Sequence, residues 1–247
     1  MQVDVTSLDN SISMVKNWND STQNEGRYIC VSNVHMCMET FDNKDFKLVV
    51  NNADLVIPDG KPLFWAQKLL GQKNAQQVRG TDIMLRLCEY AEKHRVSIGF
   101  YGGTTELLYK LKNTLVNKFP NIDIACQIAP PFRPLTEEED KSFTQQINES
   151  KVRILFVGIG CPKQERWMAE HRSQLSCTML GVGAAFDFIT GRKKEAPRWM
   201  QNLGLEWLFR LLCEPKRLWK RYIILNPRFI WHFSKQWIQH KRSNISM

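Results

Sequence analysis

The run Val152-Arg-Ile-Leu-Phe-Val-Gly-Ile-Gly-Cys-Pro-Lys-Gln-Glu165 decides the fold class. Its first six residues are mostly Val, Ile, Leu and Phe with one charge, which suits a strand buried on both faces. The glycines behind it permit a tight turn, and the polar residues beyond open a helix. A strand of this kind needs helices over both of its faces, so the unit points to a parallel sheet. Working outward, Tyr28–Ser32, Val96–Tyr101, Ile122–Gln127 and Thr178–Val182 read as further buried strands. Between them, Thr81–His94 repeats Ile83, Leu87 and Ala91 on one helical face, and Thr105–Phe119 repeats Leu108, Leu111 and Leu115. After the loop Pro130–Pro134, Thr136-Glu-Glu-Glu predicts a capping box. The acidic run Glu137–Asp140 then forms a solvated first turn that the helix dipole favours. The expected architecture is α/β, a parallel sheet flanked by helices.

Strand signals stop near Pro197. Trp199–Cys213 is helical in pattern, and Glu214-Pro215 ends it because proline disfavours helix at the residue before it. Proline suits the first turn of a helix, so Pro215–Leu225 predicts a second one. Asn226-Pro227 repeats the device and predicts a last helix to about His240. The reading divides the chain into an α/β body, 1–196, and a helical appendage, 197–247.

Charge separates the two parts. The chain of 247 residues has a formal net charge of +9. Arg192–Met247 holds 13 basic against 3 acidic residues, so the basic excess lies in the last fifth of the sequence. Five of the eight tryptophans, Trp199, Trp207, Trp219, Trp231 and Trp237, lie there too. Basic residues interleaved with Trp, Phe and Leu suit an anionic membrane surface. Phosphate contacts and base stacking on nucleic acid would use the same composition.

Other classes fall away on composition. An apolar fraction of 43% excludes a mostly disordered chain. No uncharged apolar run approaches the roughly 20 residues that a membrane-spanning helix needs. The start, Met1-Gln-Val-Asp-Val-Thr, lacks the pattern of a signal peptide. Seven cysteines with no CxxC pair read as reduced thiols of a cytoplasmic protein.

Three glycine-rich turns follow strands: Tyr101-Gly-Gly-Thr-Thr-Glu, Gly158-Ile-Gly-Cys-Pro-Lys-Gln-Glu and Gly181-Val-Gly-Ala-Ala-Phe-Asp. Backbone N–H groups in such turns can cradle a diphosphate at the carboxyl ends of a parallel sheet. Together they point to a small-molecule site. None is a full GxGxxG or a P-loop, which disfavours a nicotinamide-dependent oxidoreductase. Asp59, in Ala53-Asp-Leu-Val-Ile-Pro-Asp-Gly-Lys, stands where a catalytic carboxylate would leave a strand, and equally suits a plain Pro-Asp-Gly turn. Asp187 lies between two phenylalanines and reads as a ligand contact, a helix cap or an ion-pair partner. His35 and Glu39 can share a helix face but have no third metal ligand nearby, and the chain has no Asp-x-Asp. No metal site is expected, nor any cofactor.

The motifs taken in order resemble the WecG/TagA/CpsF family of bacterial glycosyltransferases. The resemblance runs from about Tyr28 to Phe229. Its markers are Val31-Ser-Asn-Val-His, the Pro-Asp-Gly-Lys-Pro run around Asp59, Arg79-Gly-Thr-Asp, Gly99-Phe-Tyr-Gly-Gly and Pro130-Pro-Phe-Arg-Pro-Leu. They continue with Gly160-Cys-Pro-Lys-Gln-Glu, Gly181-Val-Gly-Ala-Ala-Phe-Asp, Gly204-Leu-Glu-Trp-Leu-Phe-Arg and Arg217-Leu-Trp-Lys-Arg-Tyr. The resemblance implies a Rossmann-like fold and inverting, metal-independent transfer of a sugar from a UDP-sugar to a polyprenyl-diphosphate-linked sugar. The place is the inner membrane face, with the enzyme peripheral and cytoplasmic. Asp59 is then the base, with Asn33, His35, Gly102, Gly103, Gln164 and Asp187 toward the nucleotide sugar or its partner. Arg210, Arg217, Lys220 and Arg221 become candidates for diphosphate or lipid headgroups. The last three, at i, i+3 and i+4, can share one helix face. Many members carry Thr-x-Asn-Pro where this chain has Val31-Ser-Asn-Val-His, a variant of exopolysaccharide-type members. On this reading nucleic acid is not a partner. The appendage can pack on its own body or on a neighbour's, which leaves a homo-oligomer open.

Overall fold

The structure, a computed structural model, describes residues 1–21 and 25–245. Its strands are β1 (Arg27–Ser32), β2 (Leu55–Pro58), β3 (Ile98–Tyr101), β4 (Ile124–Ile128), β5 (Ile154–Val157) and β6 (Thr178–Gly181). They form a sheet of order β2-β1-β6-β5-β3-β4 in which every pairing is parallel. Helices α1 (Leu8–Asp20), α2 (Val34–Asp42), α3 (Lys44–Asn51), α4 (Lys61–Leu69), α5 (Gly80–His94) and α6 (Thr105–Lys118) come first. Then follow α7 (Glu137–Glu149), α8 (Lys163–His171), α9 (Ala185–Ile189), α10 (Arg198–Asn202), α11 (Glu206–Cys213), α12 (Pro215–Trp219) and α13 (Leu225–Ile245). A π turn, Lys220–Ile224, joins the last two. The α/β fold with a Rossmann-like parallel sheet is as the sequence indicates.

Two apolar layers sandwich the sheet, and residue alternation sorts the side chains between them. Ile154 and Phe156 of β5 enter one layer with Ile29, Phe100 and Leu180, under α1, α5, α6 and α9. Leu155 and Val157 enter the other with Tyr28, Tyr101 and Met179, under α3, α7 and α8. Both faces are covered, which is why the strands read as continuous apolar runs. The five expected strands all form, each within two residues of the sequence-based limits at either end. The sixth, β2, is the apolar run before Asp59. Ile83, Leu87 and Ala91 of α5 are all fully buried, as their spacing predicts. The Thr136 capping box is present in both directions, with Glu139 N–H donating to Thr136 Oγ1 at 3.2 Å and Thr136 N–H to Glu139 Oε2 at 3.0 Å.

The C-terminal segment departs from expectation in two places. Trp199–Cys213 is two helices, because Gly204 adopts a φ of +72° and a side chain there would meet the Trp65 ring at 2.3 Å. The helix expected to break at Asn226-Pro227 instead runs on. The proline ring would clash with the carbonyl four residues earlier in a regular α-helix, and the wider π turn just before it accommodates that conflict. α13 then packs along α2, with Phe229 buried against Val34, Met38 and Leu63. Arg228 forms two bonds to Asp42, at 2.6 and 2.9 Å, and Trp237 Nε1 donates to Leu69 O at 3.2 Å. The appendage therefore packs on the body of its own chain.

Phe156 is wholly buried at the sheet centre, its ring 6.1 Å from that of Phe100. Phe156→Ala leaves a cavity there and should cost about 3–5 kcal/mol in urea unfolding at an unchanged slope.

Candidate functional site

Parallel pairing brings the carboxyl ends of β1, β2, β3, β5 and β6 to one edge of the sheet. Ser32 of β1 lies opposite Pro58 of β2, so Asn33 and Asp59 leave the sheet side by side. Asp59 N–H donates to Ser32 O at 2.8 Å and prolongs the ladder by one bond. Asn33 caps α2, its Oδ1 accepting from Met36 N–H at 3.3 Å, as asparagine commonly does at a helix start. The same oxygen accepts from Arg221 Nη2 at 3.1 Å, which ties the π turn to the body.

Two clefts open at this edge. The larger, about 1250 Å³ and open to solvent, lies between the glycine turns after β5 and β6 and the arginines of α11, α12 and the π turn. The smaller, about 650 Å³, lies between the starts of α2 and α4 and the residues Trp207, Tyr222 and Asn226. Asn33, Asp59, Glu206, Arg210 and Arg221 line both, so the two clefts meet at Asp59.

Asp59 is held rigidly. Its Oδ1 accepts from Gly80 N–H at the start of α5 at 2.9 Å, and its backbone carbonyl accepts from Gln77 Nε2 at 2.6 Å. No hydrogen bond among the described residues occupies Oδ2. Burial pushes this carboxyl up to about 6, and the nearby Glu206 adds to the rise. The Gly80 N–H and the Arg210 and Arg79 guanidiniums oppose them. The group is thus ionised around neutrality yet still basic enough to accept a proton.

The cations face it. Arg221 is half-buried and has no carboxylate within ion-pair distance among the described residues. Burial, and then the repulsion of Arg210 and Arg217, holds its guanidinium below the usual value, with Tyr222 and Cys161 acting the other way. Arg210 stacks its guanidinium 5.4 Å from the Phe188 ring, and its Nε is buried without a hydrogen-bond partner among the described residues. Arg217 is bonded to Glu214. Buried positive charge without a counter-charge is costly, and an anion in the larger cleft would neutralise it. His35, the second residue of α2, lines the smaller cleft with its Nε2 3.4 Å from Glu39 Oε1. Burial, aided by Arg221, lowers its imidazole to about 4, so it is neutral near pH 7.

Gln164 lines the larger cleft, and so does Asp187, which pairs with Lys193 at 3.4 Å and Arg192 at 3.7 Å. Gly103 borders an adjoining hollow with Phe132 and Asp187. Gly102 does not reach either cleft. It has a φ of +122°, and a Cβ there would meet the Gly158 backbone at 2.6 Å, so it serves close packing of two turns. Lys220 also stands apart. It begins the π turn and borders neither cleft, and its ammonium lies 5.6 Å from the Trp219 ring. Reasoning from sequence singled out neither Arg79 nor Glu206. Arg79 bonds Gln201 and approaches Glu206 at 3.6 Å and Glu195 at 3.9 Å, joining the body to α10 and α11. Each is a charge in an otherwise apolar or glycine-bearing motif, and that is the signal that could have found them. Among the described residues no three His, Cys, Asp or Glu side chains cluster in a way that could hold a metal ion.

Comparison with known proteins adds the chemistry. The family model described as "Glycosyl transferase WecG/TagA/CpsF family" matches residues 1–243. A relative from Bacillus spizizenii (strain W23) is 28% identical over 209 residues, covering 84% of this chain and 79% of its own. One from Staphylococcus aureus (strain NCTC 8325) is 28% identical over 218 residues, covering 88% of this chain and 82% of its own. Both carry the name N-acetylglucosaminyldiphosphoundecaprenol N-acetyl-beta-D-mannosaminyltransferase.

The raised Asp59 carboxyl has a consequence for folding. The native state holds this proton more tightly than the unfolded chain, so stability declines as pH rises from about 4 to about 6 and stays lower above that. The cost is about 3 kcal/mol, from two pKa units at 1.36 kcal/mol each. Asp59→Asn keeps the oxygen that Gly80 bonds. It should melt above the wild type at pH 8, with the difference closing toward pH 4 in a thermal series.

Proposed function

Because the chain belongs to the WecG/TagA/CpsF family of glycosyl transferases, we propose that it transfers a sugar from a UDP-sugar to a polyprenyl-diphosphate-linked sugar, with inversion and without a metal. The observation that carries this reading is the meeting of two clefts at a basic carboxylate, one walled by Arg210, Arg217 and Arg221, of which Arg210 and Arg221 have no carboxylate partner among the described residues, and the other holding the rings of Trp207 and Tyr222. The larger cleft takes the nucleotide sugar, with its diphosphate toward Arg210, Arg217 and Arg221. The smaller takes the acceptor sugar against Trp207 and Tyr222.

In this arrangement the acceptor hydroxyl reaches Asp59 from the side opposite the leaving group. Asp59 Oδ2 takes the hydroxyl proton as the oxygen bonds to the anomeric carbon. The bond from that carbon to the diphosphate oxygen breaks with its electron pair, and UDP leaves as an anion. The arginines stabilise the charge that develops on the diphosphate, the work a metal does in other transferases. Asn33 acts by holding Arg221 in place, and Gln164 and Asp187 act on the donor. The activity for which the relatives are named favours an N-acetylhexosamine as the sugar.

The basic segment supports a peripheral position at the inner face of the membrane. No described helix is long and apolar enough to cross a bilayer. Ile230 and Trp231 of α13 are 61% and 62% exposed, and Lys220, Lys235 and Lys241 stand over Trp219, Trp231 and Trp237. Paired ammonium and indole groups suit an anionic headgroup layer.

The test of the chemistry is UDP release from UDP-N-acetylhexosamines in EDTA, with and without a polyprenyl-diphosphate-linked N-acetylglucosamine. Acceptor-dependent release is expected, with kcat/KM falling tenfold per pH unit below about 6. Asp59→Asn should lose 100- to 10,000-fold in kcat while still binding UDP, the range typical of a lost general base. Near-normal turnover in that variant would remove Asp59 from the role. For the membrane, the double variant Ile230→Glu/Trp231→Glu should co-sediment at least tenfold less with phosphatidylglycerol vesicles. Its rate on a short-chain, water-soluble acceptor should be unchanged. Undiminished vesicle binding would reject α13 as the contact.

A further inference from the structure

Glu165 is a fully buried carboxylate beside the site, and nothing in the transfer reaction uses it. It is the third residue of α8. One oxygen, Oε1, accepts from Gln164 Nε2 at 2.7 Å. The other, Oε2, is buried with no hydrogen-bond partner among the described residues, although the Cys161 thiol is close enough to interact with the carboxylate. It has no ion pair at short range among the described residues, and Arg221 acts on it only through its field. A charge so placed is unfavourable for folding, and an apolar or amide side chain would be less so. Burial accordingly pushes the carboxyl up to about 7.

Its neighbour explains its presence. The amide of Gln164 spans two of the three glycine turns. Its Oε1 accepts from Gly160 N–H at 3.2 Å, and its Nε2 lies against Gly181, where a Cβ would come within 2.8 Å. A glutamine amide has two orientations that differ only by exchange of oxygen and nitrogen. Gly160 N–H is a donor and demands the oxygen. Glu165 Oε1 accepts and holds the nitrogen on its side. Together they admit one orientation. That leaves one N–H and one lone pair of the amide uncommitted, on a side chain that lines the larger cleft.

We propose that Glu165 is a positioning residue for sugar transfer, fixing the amide of Gln164 so that it meets the nucleotide sugar in a single orientation. This rests on the assignment of the larger cleft to the donor. Glu165 does not touch the substrate itself. Its effect passes through one hydrogen bond, so it vanishes when Gln164 is absent. A glutamine at position 165 can still accept through its own carbonyl and should restore most of the effect.

The experiment is a double-mutant cycle read by calorimetric binding of UDP and a UDP-N-acetylhexosamine, with a thermal melt on every variant. Gln164→Ala and Glu165→Leu should each weaken nucleotide-sugar binding at least tenfold, and the double variant should be no weaker than Gln164→Ala alone. Glu165→Gln should bind within threefold of the wild type. Glu165→Leu should melt at or above the wild-type temperature, which separates lost positioning from lost folding. Should Glu165→Leu not fold, Glu165→Ala takes its place in the cycle. Wild-type affinity in the folded Leu or Ala variant, or additive losses in the double variant, would overturn the proposal while leaving the donor cleft intact. A wild-type chain that binds no uridine nucleotide would overturn the donor assignment and this inference with it.

Discussion

The pairing of β1 with β2 places Asn33 next to Asp59, and the remainder of the site is arranged around that pair. Asn33 does three things from one position: it ends a strand, caps a helix and holds Arg221. Asp59 extends the ladder through its N–H and receives Gly80 from the start of α5. A slip of one residue in that parallel register would turn Ile29 and Val31 from one apolar layer to the other. The core that fixes the register thus also fixes the distance between Asp59 and the arginines. The geometry of the site depends on sheet packing more than on any loop.

The electrostatics of the site run against stability. Asp59 and Glu165 are both carboxylates with raised proton affinity, and Arg221 is a half-buried cation without a carboxylate at bonding distance among the described residues. Each would be better placed in water. Such groups persist where a surrounding fold is stable enough to hold them and where a ligand completes the charge pattern. The anion drawn to Arg210 and Arg221 and the proton drawn to Asp59 are complementary demands, and sugar transfer with loss of a diphosphate meets both.

The body was readable in the sequence because its strands are buried on both faces and its helices on one, so periodicity carried the information. Ile83, Leu87 and Ala91 are examples, as is the Thr136 capping box, a purely local device. The appendage was less readable. Gly204 breaks a helix because Trp65, far away in sequence, occupies the space a side chain would need. Pro227 fails to end one because a π turn lies upstream, and no residue type announces that turn. Gly102 looked like a ligand contact because glycine turns that pack and glycine turns that bind have the same composition. Arg79 and Glu206 carry roles that arise only when α5, α10 and α11 meet.

The π turn also acts as a phase setting. Seen down its axis, the helical rod from Pro215 to Ile245 has to aim Arg217 and Arg221 at one cleft and Phe229 at α2. A single extra residue in a turn rotates everything downstream by about 100° relative to an uninterrupted α-helix. The two ends of the rod are therefore indexed to one another by that one residue, as two cams are keyed on a shaft. Any insertion or deletion between Trp219 and Leu225 would leave both faces chemically intact and point one of them the wrong way.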